Sequence, residues 1–126
     1  MKSKAILFAC TITLLSFFSC GEEDPEPLLI CGVTDPVLQL TWLNELTAEL
    51  DESYFNQYFY VTSGKYQGED VFIVKNCCPN CNSVELVYSC QGNTIGFLAF
   101  DGVSIDPSEI SDEQVIWRGI NFQCGV

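Results

Sequence analysis

The sequence predicts an α+β fold, with one N-terminal amphipathic helix packed on a small antiparallel β-meander and stapled by disulfides. An apolar stripe at helical spacing opens the body of the chain. Short runs of aromatic and β-branched residues follow it between glycine-bearing turns, and six cysteines spread from one end of that body to the other. A helical period followed by strand periods, without internal repeats, is the pattern of one small domain, here residues 31–126.

The helix is signalled at its start by Thr34 or Asp35 as N-cap and by Pro36 in the first turn, where a missing N–H and a fixed φ are tolerated. Val37, Leu38, Trp42, Leu43, Leu46 and Leu50 then recur on one face, with Asn44, Glu45, Thr47 and Glu49 off it. Trp42 stands in a stripe of leucines and is expected in the core, not at a ligand.

Beyond Asp51-Glu52-Ser53, strands are expected at 56–62, 70–76, 84–90 and 94–100. Gly64 and Gly68 punctuate the first connection, and Gln91-Gly92-Asn93 forms a hairpin loop. In the third run Val84, Leu86 and Tyr88 alternate with Glu85, Val87 and Ser89, the mark of a sheet with one face under the helix and one wetter face. Asp106-Pro107-Ser108-Glu109 reads as a cap, a first-turn proline and a reciprocal capping acid, and 115–122 as a last strand.

Ahead of this body, Lys2 and Lys4 precede an uncharged apolar run from Ala5 to Phe18. About 14 residues at 1.5 Å each fall short of the roughly 30 Å hydrocarbon core, so the layout is that of a signal peptide. Leu15-Ser16-Phe17-Phe18-Ser19-Cys20 resembles the lipobox of bacterial lipoproteins, with small Ser19 immediately before the cysteine. The resemblance implies cleavage of residues 1–19 and lipidation of Cys20 by a diacylglycerol and a further acyl chain such as palmitate. Two or more chains hold a protein on a membrane stably.

Residues 20–30 then comprise the lipidated cysteine and a tether. Gly21-Glu22-Glu23-Asp24-Pro25-Glu26-Pro27 has four acids, two prolines and nothing to bury. It also resembles the acidic segment that directs some Gram-negative lipoproteins to the outer face of the outer membrane. The expected location is therefore the outer membrane, lipid-anchored and surface-exposed, with its periplasmic face as the alternative.

Removal of residues 1–19 takes away Lys2 and Lys4 and no acid, so the formal charge moves from −12 to −14. Lys65, Lys75 and Arg118 are the remaining basic residues and form no cluster, which excludes nucleic acid as a partner. Expected partners are the membrane, through the lipid, and a protein or glycan at the cell surface. The second would be met by aromatic residues such as Tyr54, Tyr58, Tyr60 and Tyr66 on an exposed sheet face.

Cys10 leaves with the signal and Cys20 takes the lipid, so Cys31, Cys77, Cys78, Cys81, Cys90 and Cys124 remain. An even set in an oxidising compartment reads as three disulfides whose connectivity spacing alone leaves open. Bridges from Cys31 and Cys124 toward the central cluster would tie down both ends. The vicinal pair Cys77-Cys78, extended, points its side chains apart and suits two separate bridges.

The opening Cys31-Gly32-Val33-Thr34-Asp35-Pro36, with Trp42-Leu43 in its helix, resembles a group of small uncharacterised Cys-rich lipoproteins of Gram-negative bacteria. Their later hairpin and cysteine cluster are matched here by Tyr66-Gln67-Gly68 and Cys77-Cys78-Pro79-Asn80-Cys81. The resemblance implies a shared scaffold and brings no activity with it.

Cys78-Pro79-Asn80-Cys81 has the Cys-x-x-Cys spacing of thiol-disulfide oxidoreductases, where a helix N-terminus lowers the pKa of the attacking thiol. A strand-like segment follows here instead, and the nearest basic residue in sequence is Lys75. Structural bridging is expected, with a redox protein using Cys78 and Cys81 as the alternative. Without histidine or a second Cys-x-x-Cys, no zinc site is expected. Asp101, Asp106, Glu109, Asp112 and Glu113 lack the spacing of a calcium loop and are expected to be solvated.

The absence of histidine removes the usual general base and the Ser-His and Cys-His nucleophile pairs. A domain of this size also has little depth in which burial would raise a carboxylic acid's pKa. The expectation is a non-enzyme without a cofactor.

Overall fold

Five strands form one antiparallel sheet, and the α+β architecture expected from the sequence is the one observed. The computed structural model describes residues 27–126; the expected signal peptide (1–19), Cys20 as the expected lipidation residue and most of the expected tether (20–30) lie outside the described residues.

Asp35 caps the first helical turn, α1 (Pro36–Gln39), by accepting from Leu38 N at 3.2 Å. Gln39 Oε1 in turn accepts Asp35 N at 2.8 Å. The helix then breaks, because Leu40 is extended (φ −94°, ψ 108°), and α2 (Thr41–Glu52) starts afresh. The break shifts the apolar face relative to an unbroken helix. Leu38, expected in the stripe, is 72% exposed, and Thr47, expected outside it, is buried with Leu43. The Thr47 hydroxyl donates to Asn44 O at 3.0 Å, which satisfies the polar group inside.

After a short 3₁₀ turn at Asn56–Tyr58 come β1 (Phe59–Tyr66) and β2 (Glu69–Asn76). They are joined by the two-residue loop Gln67-Gly68, whose φ angles of 51° and 84° suit the twist of a tight hairpin. Gly64 belongs inside β1, not to this connection. A Cβ there would lie 2.8 Å from Ile110 Cγ2 and 3.1 Å from Ser111 O, so the glycine is where the last strand crosses closely.

β3 (Leu86–Ser89) and β4 (Thr94–Phe97) continue the meander, and β5 (Ile110–Arg118) returns beside β1, giving the order β4-β3-β2-β1-β5. The turn at Pro107–Glu109 has the expected capping box, with Asp106 accepting Ser108 N at 2.8 Å and Glu109 accepting Asp106 N at 3.1 Å. That box launches β5 at residue 110, five residues ahead of the expected start.

Because β4 and β5 are opposite edges, residues 98–109 must cross the sheet, and this crossing covers a second face. On one face Trp42, Leu43, Leu46 and Leu50 pack over Val61, Phe72, Val74 and Tyr88. Trp42 is a core residue, as expected. Its ring lies 5.5 Å from Phe72 and 5.7 Å from Tyr88, and its Nε1 donates to Cys90 O at 2.9 Å. On the other face Ile105 packs on Val71, Ile73 and Val87. The face expected to be wet is thus partly a second core. Val87 is wholly buried in it, whereas Val84, assigned inward by alternation, precedes β3 and is exposed.

Three disulfides complete the scaffold. Cys31–Cys90 joins the start of the domain to the end of β3, and Cys77–Cys124 joins the end of β2 to the C-terminal tail. Cys78–Cys81 closes a loop within the connection from β2 to β3. The vicinal cysteines serve two different bridges, as their geometry suggested. With sequence separations of 59 and 47, the first two stabilise by about 4 kcal/mol each in the chain-entropy model; a separation of 3 gives about 2 kcal/mol.

Candidate functional site

Several ionisable groups are tied into the fold. Lys75 is largely buried, with its ammonium 2.6 Å from Glu113 Oε1 and 4.0 Å from Glu85 Oε2. Thr62 Oγ1 donates to the same Glu113 oxygen at 2.8 Å. Burial opposes the charge of Lys75, but the hydrogen bond and the two carboxylates outweigh it and hold its pKa above the usual lysine value. A lysine kept protonated is an ion-pair partner and not a nucleophile. Burial also pushes the neighbouring Tyr60 hydroxyl up.

Of the five acids expected to be solvated, Asp112 is exposed and unpartnered among the described residues, whereas Asp101, Asp106, Glu109 and Glu113 are engaged. Asp101 accepts Ser104 N at 2.8 Å, Val103 N at 2.9 Å and Ser104 Oγ at 3.0 Å, which lowers its pKa. Asp106 is lowered by the Ser108 hydroxyl and amide. Glu109 caps its turn and Glu113 pairs with Lys75. With their oxygens committed locally and separately, they do not converge on a cation.

Among the described residues, one trio of metal-type donors lies close together: Cys31, Asp70 and Cys90. Its two sulfurs are bonded to each other, so it offers no thiolate. The Asp70 carboxylate accepts Lys65 Nζ at 2.6 Å and Cys31 N at 2.7 Å; chiefly the lysine bond holds its pKa below the usual range. Asp70 is a clamp on the turn that opens the domain.

Of the aromatic residues singled out in the sequence, Tyr54 is 88% exposed on the turn after α2, edge-on to Phe55 at 5.0 Å. Tyr58 and Tyr60 are half-buried, and Tyr60 packs against Phe122 at 5.7 Å. Tyr66 lines a groove; the four do not form one surface.

That groove lies at the β4 edge. A depression of about 300 Å³ is walled by Tyr66, Ile95, Phe97 and Val103, with Gly96 and Ile105 among its lining residues. Gly96 is needed there, since a Cβ would sit 3.0 Å from Ile105 Cδ1. Tyr66 and Ile95 are shared with a second depression of about 360 Å³ that takes in Gln67, Glu69 and Val71. Val103 is 92% and nearby Phe100 82% exposed, beside the Asp101-Gly102 turn. In the sequence Ile95 and Phe97 read as ordinary strand residues; the clustering of Phe100, Val103 and Ile105 around a turn is the signal that points to this edge.

The Cys78–Cys81 loop lies elsewhere, at the far end of β2. Cys81 N donates to Cys78 O at 3.3 Å and Cys78 N to Asn76 Oδ1 at 2.7 Å. Pro79, Asn80, Asn82, Ser83 and Val84 are exposed, and no helix follows the second cysteine.

No helix among the described residues is long and apolar enough to cross a membrane. No family model, curated protein or solved structure matches this chain.

Proposed function

We propose that this chain is a lipid-anchored envelope protein, held at Cys20 on the outer membrane, whose domain is a non-enzymatic module for binding another polypeptide. The observation that carries the binding reading is the set of exposed apolar side chains, Ile95, Phe97 and Val103 with nearby Phe100, along the groove at an edge of the sheet. Solvent-exposed clusters of large apolar side chains are costly to maintain and mark contact surfaces. The groove is flanked by Glu69 and Asp101 on a strongly acidic body, which favours an apolar segment carrying basic residues.

A polypeptide fits better than a glycan. Sugar binding needs several free polar groups converging beside an aromatic ring, and the Asp101 carboxylate here is already taken by Val103 and Ser104. The non-enzymatic reading rests on the missing histidine, on a protonated, ion-paired Lys75 and on acids committed to caps and pairs.

The test is site-specific photo-crosslinking in intact cells, with a photoreactive phenylalanine at position 103 and, as a control, at position 45 on the outer face of α2. A discrete protein adduct from 103 alone, abolished by Ile95→Asp, is expected. Equal crosslinking from both positions, or none from 103, would count against this surface.

A further inference from the structure

We propose that Cys78–Cys81 is a redox-exchange site: a disulfide that external dithiols open selectively, while Cys31–Cys90 and Cys77–Cys124 stay closed and the domain stays folded. The inference is independent of the binding surface at β4 and stands or falls without it.

The three bridges differ in what they are built into. Cys31 packs against the helix-face core, its amide is held by Asp70, and its partner Cys90 ends β3 with its carbonyl bonded to Trp42. Cys77 donates from its amide to Tyr58 O at 3.1 Å, and the irregular tail that carries Cys124 is fixed by Gln123 N to Gln57 O at 2.8 Å. In both cases the surrounding hydrogen bonds hold the two sulfurs together, so an opened bridge is poised to re-close. All six cysteines are half-buried, so the bridges differ in what holds them together and not in burial.

Cys78–Cys81 pins no pair of elements. It spans four residues of one loop, its intervening Pro79 and Asn80 are exposed, and three exposed residues follow it. Among the described residues its local supports are one turn hydrogen bond and the Asn76 cap. Opening it releases a loop and leaves the sheet, both cores and the other staples untouched. Because a bridge is protected by the structure to which it contributes, the one that contributes least is the most open to exchange.

The direction of attack follows from the surroundings. The loop has no helix N-terminus, and Lys75, its neighbour in sequence, is occupied by Glu113 and Glu85. Nothing here builds a low-pKa attacking thiolate, so the loop is the acceptor and the partner is the attacker. A thiolate of an external dithiol attacks one sulfur, the Cys78–Cys81 bond breaks, and a mixed disulfide forms. The dithiol's second sulfur then displaces the remaining cysteine. Two electrons pass to the loop, the dithiol becomes a disulfide, and its two protons end on Cys78 and Cys81.

The test uses the mature full-length lipoprotein in detergent, treated with graded dithiothreitol without denaturant, trapped with iodoacetamide and mapped by mass spectrometry. Labelling of Cys78 and Cys81 is expected at no more than one-tenth of the dithiothreitol needed to label the other four, with an unchanged circular dichroism spectrum. The Cys78→Ser/Cys81→Ser variant should be unlabelled across that range. Simultaneous opening of all three bridges with loss of structure, or earlier opening of either long-range bridge, would overturn the proposal. So would re-oxidation to a Cys78–Cys124 species, because the pair would then not cycle by itself.

Discussion

Replacing Cys31 and Cys90 together by serine is expected to lower the unfolding free energy by about 4 kcal/mol, the largest loss available from any one staple. The bridge has a sequence separation of 59, so the unfolded chain gains the most freedom when it is cut. The folded side suffers as well. Cys31 lies against the core beside Ile30, its amide is one of two donors holding Asp70, and Trp42 anchors α2 to the carbonyl of Cys90. Loss of the bridge therefore loosens the joint between helix, hairpin and opening segment. Urea denaturation followed by tryptophan fluorescence measures it. The Cys78→Ser/Cys81→Ser protein should lose about 2 kcal/mol or less in the same experiment, in line with its short loop.

Gly119→Ala is expected to cost about 3 kcal/mol, through backbone overlap and not through any lost contact. Gly119 is buried just past β5, where its amide donates to Phe59 O at 3.0 Å. A Cβ at this position would come within 2.0 Å of Asn56 O and 3.0 Å of Asn56 C. No flexible side-chain end is available to yield. The 3₁₀ turn at Asn56–Tyr58 would have to move off β5, disturbing the Gln57 and Tyr58 carbonyls that hold Gln123 and Cys77. Gly125→Ala is the matched control, because nothing lies within 4 Å of its added methyl. It should fall within about 0.5 kcal/mol of the parent in thermal or urea unfolding.

The parts of this fold that were legible in the sequence are those governed by neighbours along the chain. Asp35 and Pro36 start a helix, Gln91-Gly92-Asn93 turns β3 back into β4, and Asp106 with Glu109 forms a capping box; each is a local hydrogen-bonding or φ requirement written in adjacent residues. Trp42 was placed in the core correctly because its neighbours at helical spacing are leucines.

What local reading missed was imposed by distant segments. The interruption at Leu40 has no proline or glycine to announce it; Leu38 ahead of it is exposed, and Thr47, one turn after Leu43 in α2, is buried. The assignment of Gly64 to a turn failed because the demand on it comes from β5, which lies more than forty residues away. Alternation in β3 is ambiguous when both faces are covered, and the second cover is supplied by Ile105 only because β5 returns to the opposite edge from β4. The same crossing exposes Val103 and Phe100, so the candidate groove was unreadable without the topology. The cysteine pairings likewise depend on which strand ends lie together.

The most direct single measurement is intact-mass and non-reduced peptide mapping of the protein purified from bacterial envelopes. The expected result is an N-terminal Cys20 carrying acyl chains, together with the bridges Cys31–Cys90, Cys77–Cys124 and Cys78–Cys81. An unmodified N-terminus elsewhere in the first 30 residues would contradict the lipid-anchored assignment, and any other pairing of the six cysteines would contradict the scaffold on which both proposed surfaces rest.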